Sequence, residues 1–307
     1  MTTALITHKA CFDHVTPPGH PEQVARLDAV LKSVHGLGLE GVIAPLAAED
    51  DLLRCHPKSH LEAIAAAVPS EGFRSLDADT HMSVGSLEAA YRAAGGVIKA
   101  VDMVMAGDVQ NAFSAMRPPG HHAERETPMG FCFFGNVAVA AKHAVEFHGL
   151  KRVAIVDFDV HHGNGTQDLV EEDARILFVS SHQMPLWPGT GAAHETGVGN
   201  VLNVPLPEGC NSAAFSATYE KDVFPRIDAF KPELLLISAG FDAHADDPLA
   251  GLELQDDDFI WVTQRLCDLA DEHCGGRVVS ALEGGYDLEA LGRSARAHVE
   301  VLKERGQ

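Results

Sequence analysis

The 307-residue sequence predicts an α/β fold: a single domain over residues 1–307, built on a central, mostly parallel β-sheet with helices on both faces. Three observations carry this reading. Short, nearly continuous apolar runs recur along the chain, as strands covered on both faces require. Segments of helical period lie between several of them. Four clusters rich in His, Asp, Glu and Gly stand immediately after four of the apolar runs, where open parallel sheets bind their ligands.

The first strand is ALIT (4–7). A long helical pattern follows at 86–106, SLEAAYRAAGGVIKAVDMVMA. The next strand, NAFSAM (111–116), runs into the first polar cluster, RPPGHHAE. A second helix is expected over 134–148, with Gly149 as its stop. RVAIVDF (152–158) leads into DVHHGNG, and RILFVSS (175–181) and NVLNVPL (200–206) are the next two strands. A helix over 212–230, capped by Ser212, precedes ELLLISAG (233–240) and the cluster FDAHADDP. A last helix over 256–273, capped by Asp256 and stopped by Gly275, precedes RVVSALEG (277–284) and EGGYDL. No internal repeat or low-complexity linker interrupts the pattern.

Bulk composition narrows the function classes. Hydrophobic residues make up 46% and charged residues 22%, an ordinary soluble composition, and no apolar run approaches the length of a membrane span. The first residues lack a basic region and a long apolar core, so no secretory signal is expected and the location is read as cytoplasmic. The six cysteines form no CxxC pair, which argues against a disulfide framework or a zinc knuckle. A net charge of −21 disfavours nucleic acid and anionic membranes as partners. The oligomeric state is not legible.

The richest stretch is VAIVDFDVHHGNG (153–165). Side chains alternate along a strand, so Asp157, Asp159 and His161 share a face if the extended geometry persists. Two carboxylates at the end of so apolar a run are costly unless a cation neutralises them. An Asp-x-His pair suits a borderline divalent metal such as zinc, and Asp242 can supply a third ligand. Three protein ligands with an open position make a catalytic rather than a structural site. His121 and His122, presented by a Pro-Gly turn, can act as general base and acid. Tyr286, in EGGYD, can donate a hydrogen bond to a developing oxyanion. The constellation reads as metal-assisted hydrolysis of an amide or ester.

RPPGHHA (117–123), GFCFFGN (130–136), VDFDVHHGNGTQ (156–167), WPGTG (187–191), SAGFDAHADDPL (238–249) and LEGGY (282–286) resemble the motifs of the histone deacetylase superfamily, in family order. Upstream, HPEQVARL (20–27) and LDADTH (76–81) resemble its first two active-site loops. The match is closest to bacterial, class II-like deacetylases. It implies the arginase/deacetylase-like α/β fold and a zinc-dependent deacetylase acting on acetyl-lysine or a small N-acyl amine. The same ligand set also accepts ferrous iron.

The resemblance assigns roles position by position. Asp159, His161 and Asp242 would bind the zinc. His122 would be the general base and acid, with His121 as its electrostatic neighbour. Asp157 would orient His121 and Asn164 would orient His122, while Tyr286 would polarise the acyl carbonyl. Asp157, Asp159, His161, Ser180 and Ser181 would hold a structural potassium ion, partly through backbone oxygens. Gly130, Phe131 and Trp187 would line a narrow channel. Asp79 and Leu249 would stand at its rim, and Arg26 beneath the site. The chain departs from the family pattern in HPEQVARL, where many relatives have HPERPARL, in Asn164, an aspartate in class I members, and in Trp187, often a phenylalanine. Alternative readings are an acetylpolyamine amidohydrolase, a two-metal ureohydrolase, and an inactive acyl-lysine binding module.

Overall fold

Each of the seven apolar runs forms a strand in the computed structural model, which describes residues 2–307. The strands are β1 (Thr3–Thr7), β2 (Glu40–Ile43), β3 (Arg74–Ser75), β4 (His81–Met82), β5 (Asn111–Ser114), β6 (Val153–Asp157), β7 (Ile176–Gln183), β8 (Val201–Leu206), β9 (Leu234–Ala239) and β10 (Val278–Leu282). The helices are α1 (Ala25–Val34), α2 (Glu49–Leu52), α3 (Lys58–Ala66), α4 (Ser86–Ala106), α5 (Asn136–Glu146), α6 (Asn164–Val170), α7 (Ser212–Thr218), α8 (Phe224–Phe230), α9 (Asp256–Cys274) and α10 (Leu288–Arg305). Eight strands form one sheet in the order β2-β1-β5-β10-β9-β6-β7-β8, with every pair parallel. Strands β3 and β4 make a separate antiparallel hairpin.

Helices cover both faces of the sheet, and two adjacent residues of β5 report this. Phe113 packs against the ring of His298 on α10, while the hydroxyl of Ser114 lies under Gly96 of α4. Successive side chains of a strand point to opposite faces, so α10 and α4 lie on opposite sides. His298 is buried between Thr263 Oγ1 (2.7 Å from Nδ1) and Ser280 Oγ (2.8 Å from Nε2). β2 escapes a pattern reading because it is an edge strand: its sequence, EGVI, is mostly exposed and lacks an apolar run.

Three local expectations are corrected. Asn211 rather than Ser212 caps α7, its side chain accepting from the Ala214 N–H at 3.2 Å. The expected 212–230 helix is continuous but passes through a π-turn at Tyr219–Val223. Gln255 rather than Asp256 caps α9, in a capping box with Asp258. In each cap the preceding polar residue holds the extended backbone that capping needs. Gly275 does end α9, in the left-handed conformation (φ 61°). Gly149 lies beyond the end of α5, which closes at Phe147.

The strand order places the four polar clusters side by side. They follow β5, β10, β9 and β6, which are consecutive in the sheet. No helix among the described residues is long and apolar enough to cross a membrane.

Candidate metal centre and active-site cavity

The extended backbone of β6 stops at Asp157, so simple strand alternation does not carry through to His161. Side chain-to-backbone bonds take over. Asp157 Oδ1 accepts from the Asp159 N–H (3.1 Å), and Asp159 Oδ1 accepts from the His161 N–H (2.9 Å). These short turns curl the segment and still bring its acidic side chains to one centre. The ring of His121 lies between Asp157 (Nδ1–Oδ2 2.9 Å) and Asp159 (Nε2–Oδ2 3.7 Å).

Asp242, just past β9, completes a buried triad. Its Oδ1 accepts from the Val160 N–H (2.9 Å), and Asp159 Oδ2 accepts from the Gly284 N–H (2.8 Å). Asp159 Oδ1 and Asp242 Oδ2 are thereby turned toward His161 Nδ1, at 3.2 and 3.1 Å. One donor atom from each of the three residues lies within 4.8 Å of the others. A side chain at Gly284 would collide with both Asp159 and Asp242, so only glycine admits this approach.

The electrostatics call for a cation here. Burial and the neighbouring Asp159 push Asp242 up to about 7. Burial and proximity to Asp157 and Asp159, against the pull of His121 and the Gly120 N–H, push Glu283 up to about 7. Burial would lower His161, but Asp159 and Asp242 override it and hold the ring at about 10. A nitrogen and two carboxylate oxygens, all buried and convergent, match the donor set of a divalent cation.

The two histidines of the Pro-Gly turn are differentiated by their partners. Burial would keep His121 neutral, but the carboxylates of Asp159 and Asp157 hold its pKa well above the usual value. His122 goes the other way, lowered well below the usual value by burial and by the charges of His121 and His161. Its Nδ1 lies 2.8 Å from Asn164 Oδ1, while Asn164 Nδ2 donates to Glu124 Oε1 at 2.8 Å. That chain orients the amide with its oxygen toward His122. The neutral ring therefore carries its proton on Nδ1 and offers a lone pair at Nε2.

A cavity of about 510 Å³ reaches this centre. His122, His161 and Tyr286 line it, together with Gly130, Phe131 and Trp187. Asp79 and Leu249 are also in its lining. Gly130 is in the left-handed region (φ 55°), and a Cβ there would meet the His122 and Trp187 rings. Phe131 is also left-handed (φ 69°), a strained position for a bulky residue. Its N–H donates to Thr80 Oγ1 (3.1 Å), fastening it to the Asp79 loop. Burial raises the Tyr286 hydroxyl well above its usual pKa, so it stays a donor, and Arg26 stacks 4.9 Å over its ring.

A family model for the histone deacetylase domain matches residues 20–302. The chain belongs to the histone deacetylase family. It is 43% identical over 301 residues to a histone deacetylase-like amidohydrolase of Pseudomonas aeruginosa, covering 94% of this chain and 79% of the relative. It is 36% identical to a probable deacetylase of Archaeoglobus fulgidus, covering 94% of this chain and 82% of the relative. Among solved structures, the HDA15 HD domain superposes with a TM-score of 0.93 at 34% identity, over 99% of this chain and 89% of that one. The chain is thus a histone deacetylase-family hydrolase of acyl-amide bonds.

Several supports of this histone deacetylase-family site escape the sequence reading. Glu283, buried, accepts from the N–H groups of Gly120 (2.7 Å) and His121 (3.2 Å) and so holds the histidine turn. Asp247 Oδ2 accepts from the Tyr286 N–H (2.7 Å). Buried Glu22 pairs with Arg117 and with Arg26, the arginine expected beneath the site, which itself donates to the carbonyls of Gly285 (2.6 Å) and Glu283 (2.5 Å). His20 lines the cavity, with Nε2 2.8 Å from the Asp79 carbonyl oxygen. The acids of LEGGY and DDPL were visible signals, but their partners are backbone groups from distant segments.

Proposed function

We propose that this chain is a zinc-dependent deacetylase that hydrolyses the acetyl amide of a lysine side chain in a peptide. The observation that carries the reading is the convergence of Asp159 Oδ1, Asp242 Oδ2 and His161 Nδ1 beside a cavity that His122 and Tyr286 also line. Asp159, His161 and Asp242 would hold zinc, and ferrous iron fits the same donors. When bound, the metal supplies Lewis acidity to the acyl oxygen and lowers the pKa of water.

The chain's own groups do the rest. His122 Nε2 takes a proton from the attacking water, whose oxygen bonds to the acyl carbon. Asn164 keeps the His122 proton on Nδ1, so that Nε2 is the basic atom. The Tyr286 hydroxyl donates to the acyl oxygen as negative charge grows there. The C–N bond then breaks, and His122 returns the proton to the leaving amine, giving acetate and free lysine. His121, held by Asp157, adds positive charge beside His122 and keeps its basicity low.

Potassium would sit against Asp157, Asp159, His161, Ser180 and Ser181. Asp157 pairs in register with Ser180. The serine hydroxyls already face His182 Nδ1 (2.9 Å) and Tyr219 OH (2.7 Å), so backbone oxygens would supply much of the coordination. All six cysteines are free and buried, in keeping with a reducing cytoplasmic location.

For substrate choice, Leu249 in the cavity lining cannot attract a second ammonium group, whereas the Asp79 carboxylate can accept from a peptide backbone N–H. Acetate release from an acetyl-lysine peptide and from N8-acetylspermidine, compared as kcat/KM at about 0.15 M salt, tests this. The peptide is expected to be preferred, and Asp79→Ala to reduce that preference. A clear polyamine preference untouched by Asp79→Ala would leave only the broader amidohydrolase. Asp242→Ala should lose the zinc of this centre and turnover together; turnover by metal-depleted Asp242→Ala would overturn the ligand assignment.

A further inference from the structure

A second convergent cluster lies away from the cavity. Asp102 sits on α4, His143 on α5, and His148 just beyond the end of α5. The Nε2 atoms of both histidines point at one oxygen, Asp102 Oδ1, at 2.9 Å for His143 and 2.7 Å for His148. A donor atom from each of the three residues lies within 4.8 Å of the others. No lysine or arginine is paired with Asp102 among the described residues. Its charge is answered by two imidazoles alone.

The surroundings are those of a held ligand rather than a mobile surface histidine. His143 is buried, and its Nδ1 faces Asp51 Oδ1 on α2 at 3.2 Å. A ligating histidine commonly gives its second nitrogen to a carboxylate, which fixes the ring and its tautomer. The Phe147 ring stacks on His143 (centroids 4.8 Å apart, planes 16° apart) and meets His148 edge-on at 5.1 Å. A small cavity of about 190 Å³, lined in part by Asp51, Asp102 and His143, leaves room beside the cluster for water in the remaining coordination positions.

We propose that Asp102, His143 and His148 form a binding site for a divalent transition cation of the zinc, nickel or copper class, separate from the Asp159–His161–Asp242 centre. Two imidazoles and one carboxylate are the donor set that such ions prefer. Each ring binds through the lone pair of Nε2, releasing any proton held there. His143 keeps its Nδ1 proton and donates it to Asp51. The bound ion ties the second half of α4 to the end of α5.

The test is the stoichiometry of Zn²⁺ and Ni²⁺ binding to the full chain, by equilibrium dialysis with elemental analysis. Wild type should bind two equivalents. His148→Ala should bind one and keep its acetate release, and Asp242→Ala should also bind one but lose activity. Asp242→Ala/His148→Ala should bind none. Asp51→Asn should keep the stoichiometry and weaken the second equivalent about 10- to 100-fold. A single equivalent in wild type, lost with Asp242→Ala but kept by His148→Ala, would overturn this site and leave the buried centre standing. A single equivalent lost with His148→Ala would instead sink the buried centre and keep this one. Two equivalents retained when both His143 and His148 are replaced would also overturn it.

Discussion

Asn164 Oδ1 stands 2.8 Å from His122 Nδ1, and the other end of the same amide is held by Glu124. A neutral acceptor here fixes the tautomer of His122 without adding the negative charge that would stabilise its imidazolium. The lowered basicity of His122 follows from burial and the positive neighbours His121 and His161, with nothing at Asn164 strong enough to cancel them.

Replacing that amide by a carboxylate reverses the balance. Asn164→Asp, made with Glu124→Gln to avoid opposing carboxylates, should raise the pKa of His122. The free base then becomes scarcer at low pH, so the acid limb of the kcat/KM profile should move to higher pH. A limb that stays put or moves down would show that His122 is not the group titrating there.

Tyr286→Phe removes one hydroxyl and little volume. By analogy with other oxyanion donors, kcat should fall about 100- to 1,000-fold, or roughly 3–4 kcal/mol. Metal content should be unchanged. Near-normal turnover in this variant would remove Tyr286 from the carbonyl-polarising role.

His122→Ala should cost more activity than His121→Ala, because only His122 combines a lowered pKa with a place in the cavity lining. The double variant should be little worse than His122→Ala, since groups acting as a unit are not additive. Single-turnover rates for the three proteins decide the ranking. The reverse order would mean the two roles are exchanged.

Acid stability should depend on two buried histidines outside the cavity lining. Burial lowers His298 and His56 from 6.5 to about 3. Above pH 6.5 both folded and unfolded chains hold these rings neutral. Below it the unfolded chain takes up protons that the folded one refuses, so stability is lost as pH falls from about 6.5 toward 3. Each ring contributes a slope of about 1.4 kcal/mol per pH unit in that window. Urea unfolding of wild type and His298→Gln at pH 7, 6 and 5 measures it. Identical slopes for the two proteins would refute the assignment.

Much of the site could be read before folding. The ends of RVAIVDF, ELLLISAG and RVVSALEG announce chemistry because acids and histidines directly after apolar strands have no cheap local solution. Helix boundaries were less legible at their starts. Asn211 and Gln255 won the caps over Ser212 and Asp256 because the cap goes to the residue whose backbone is still extended. Edge strand β2 left no trace, since an exposed strand needs no apolar run.

What the sequence determined by itself is local: which segments are buried strands, which are helices, and which residues carry lone pairs, protons or charge. Those follow from side-chain polarity and period, properties of neighbouring residues. Which groups meet was decided only by the tertiary structure. Strand order places the ends of β5, β10, β9 and β6 side by side, so that Glu283 holds the turn of His121 and Asp247 holds Tyr286. The same holds for Asp51, Asp102 and His143, which three separate helices bring together. Buried backbone N–H groups and carboxylates must find partners wherever the fold puts them, and that pairing is written in three dimensions rather than along the chain.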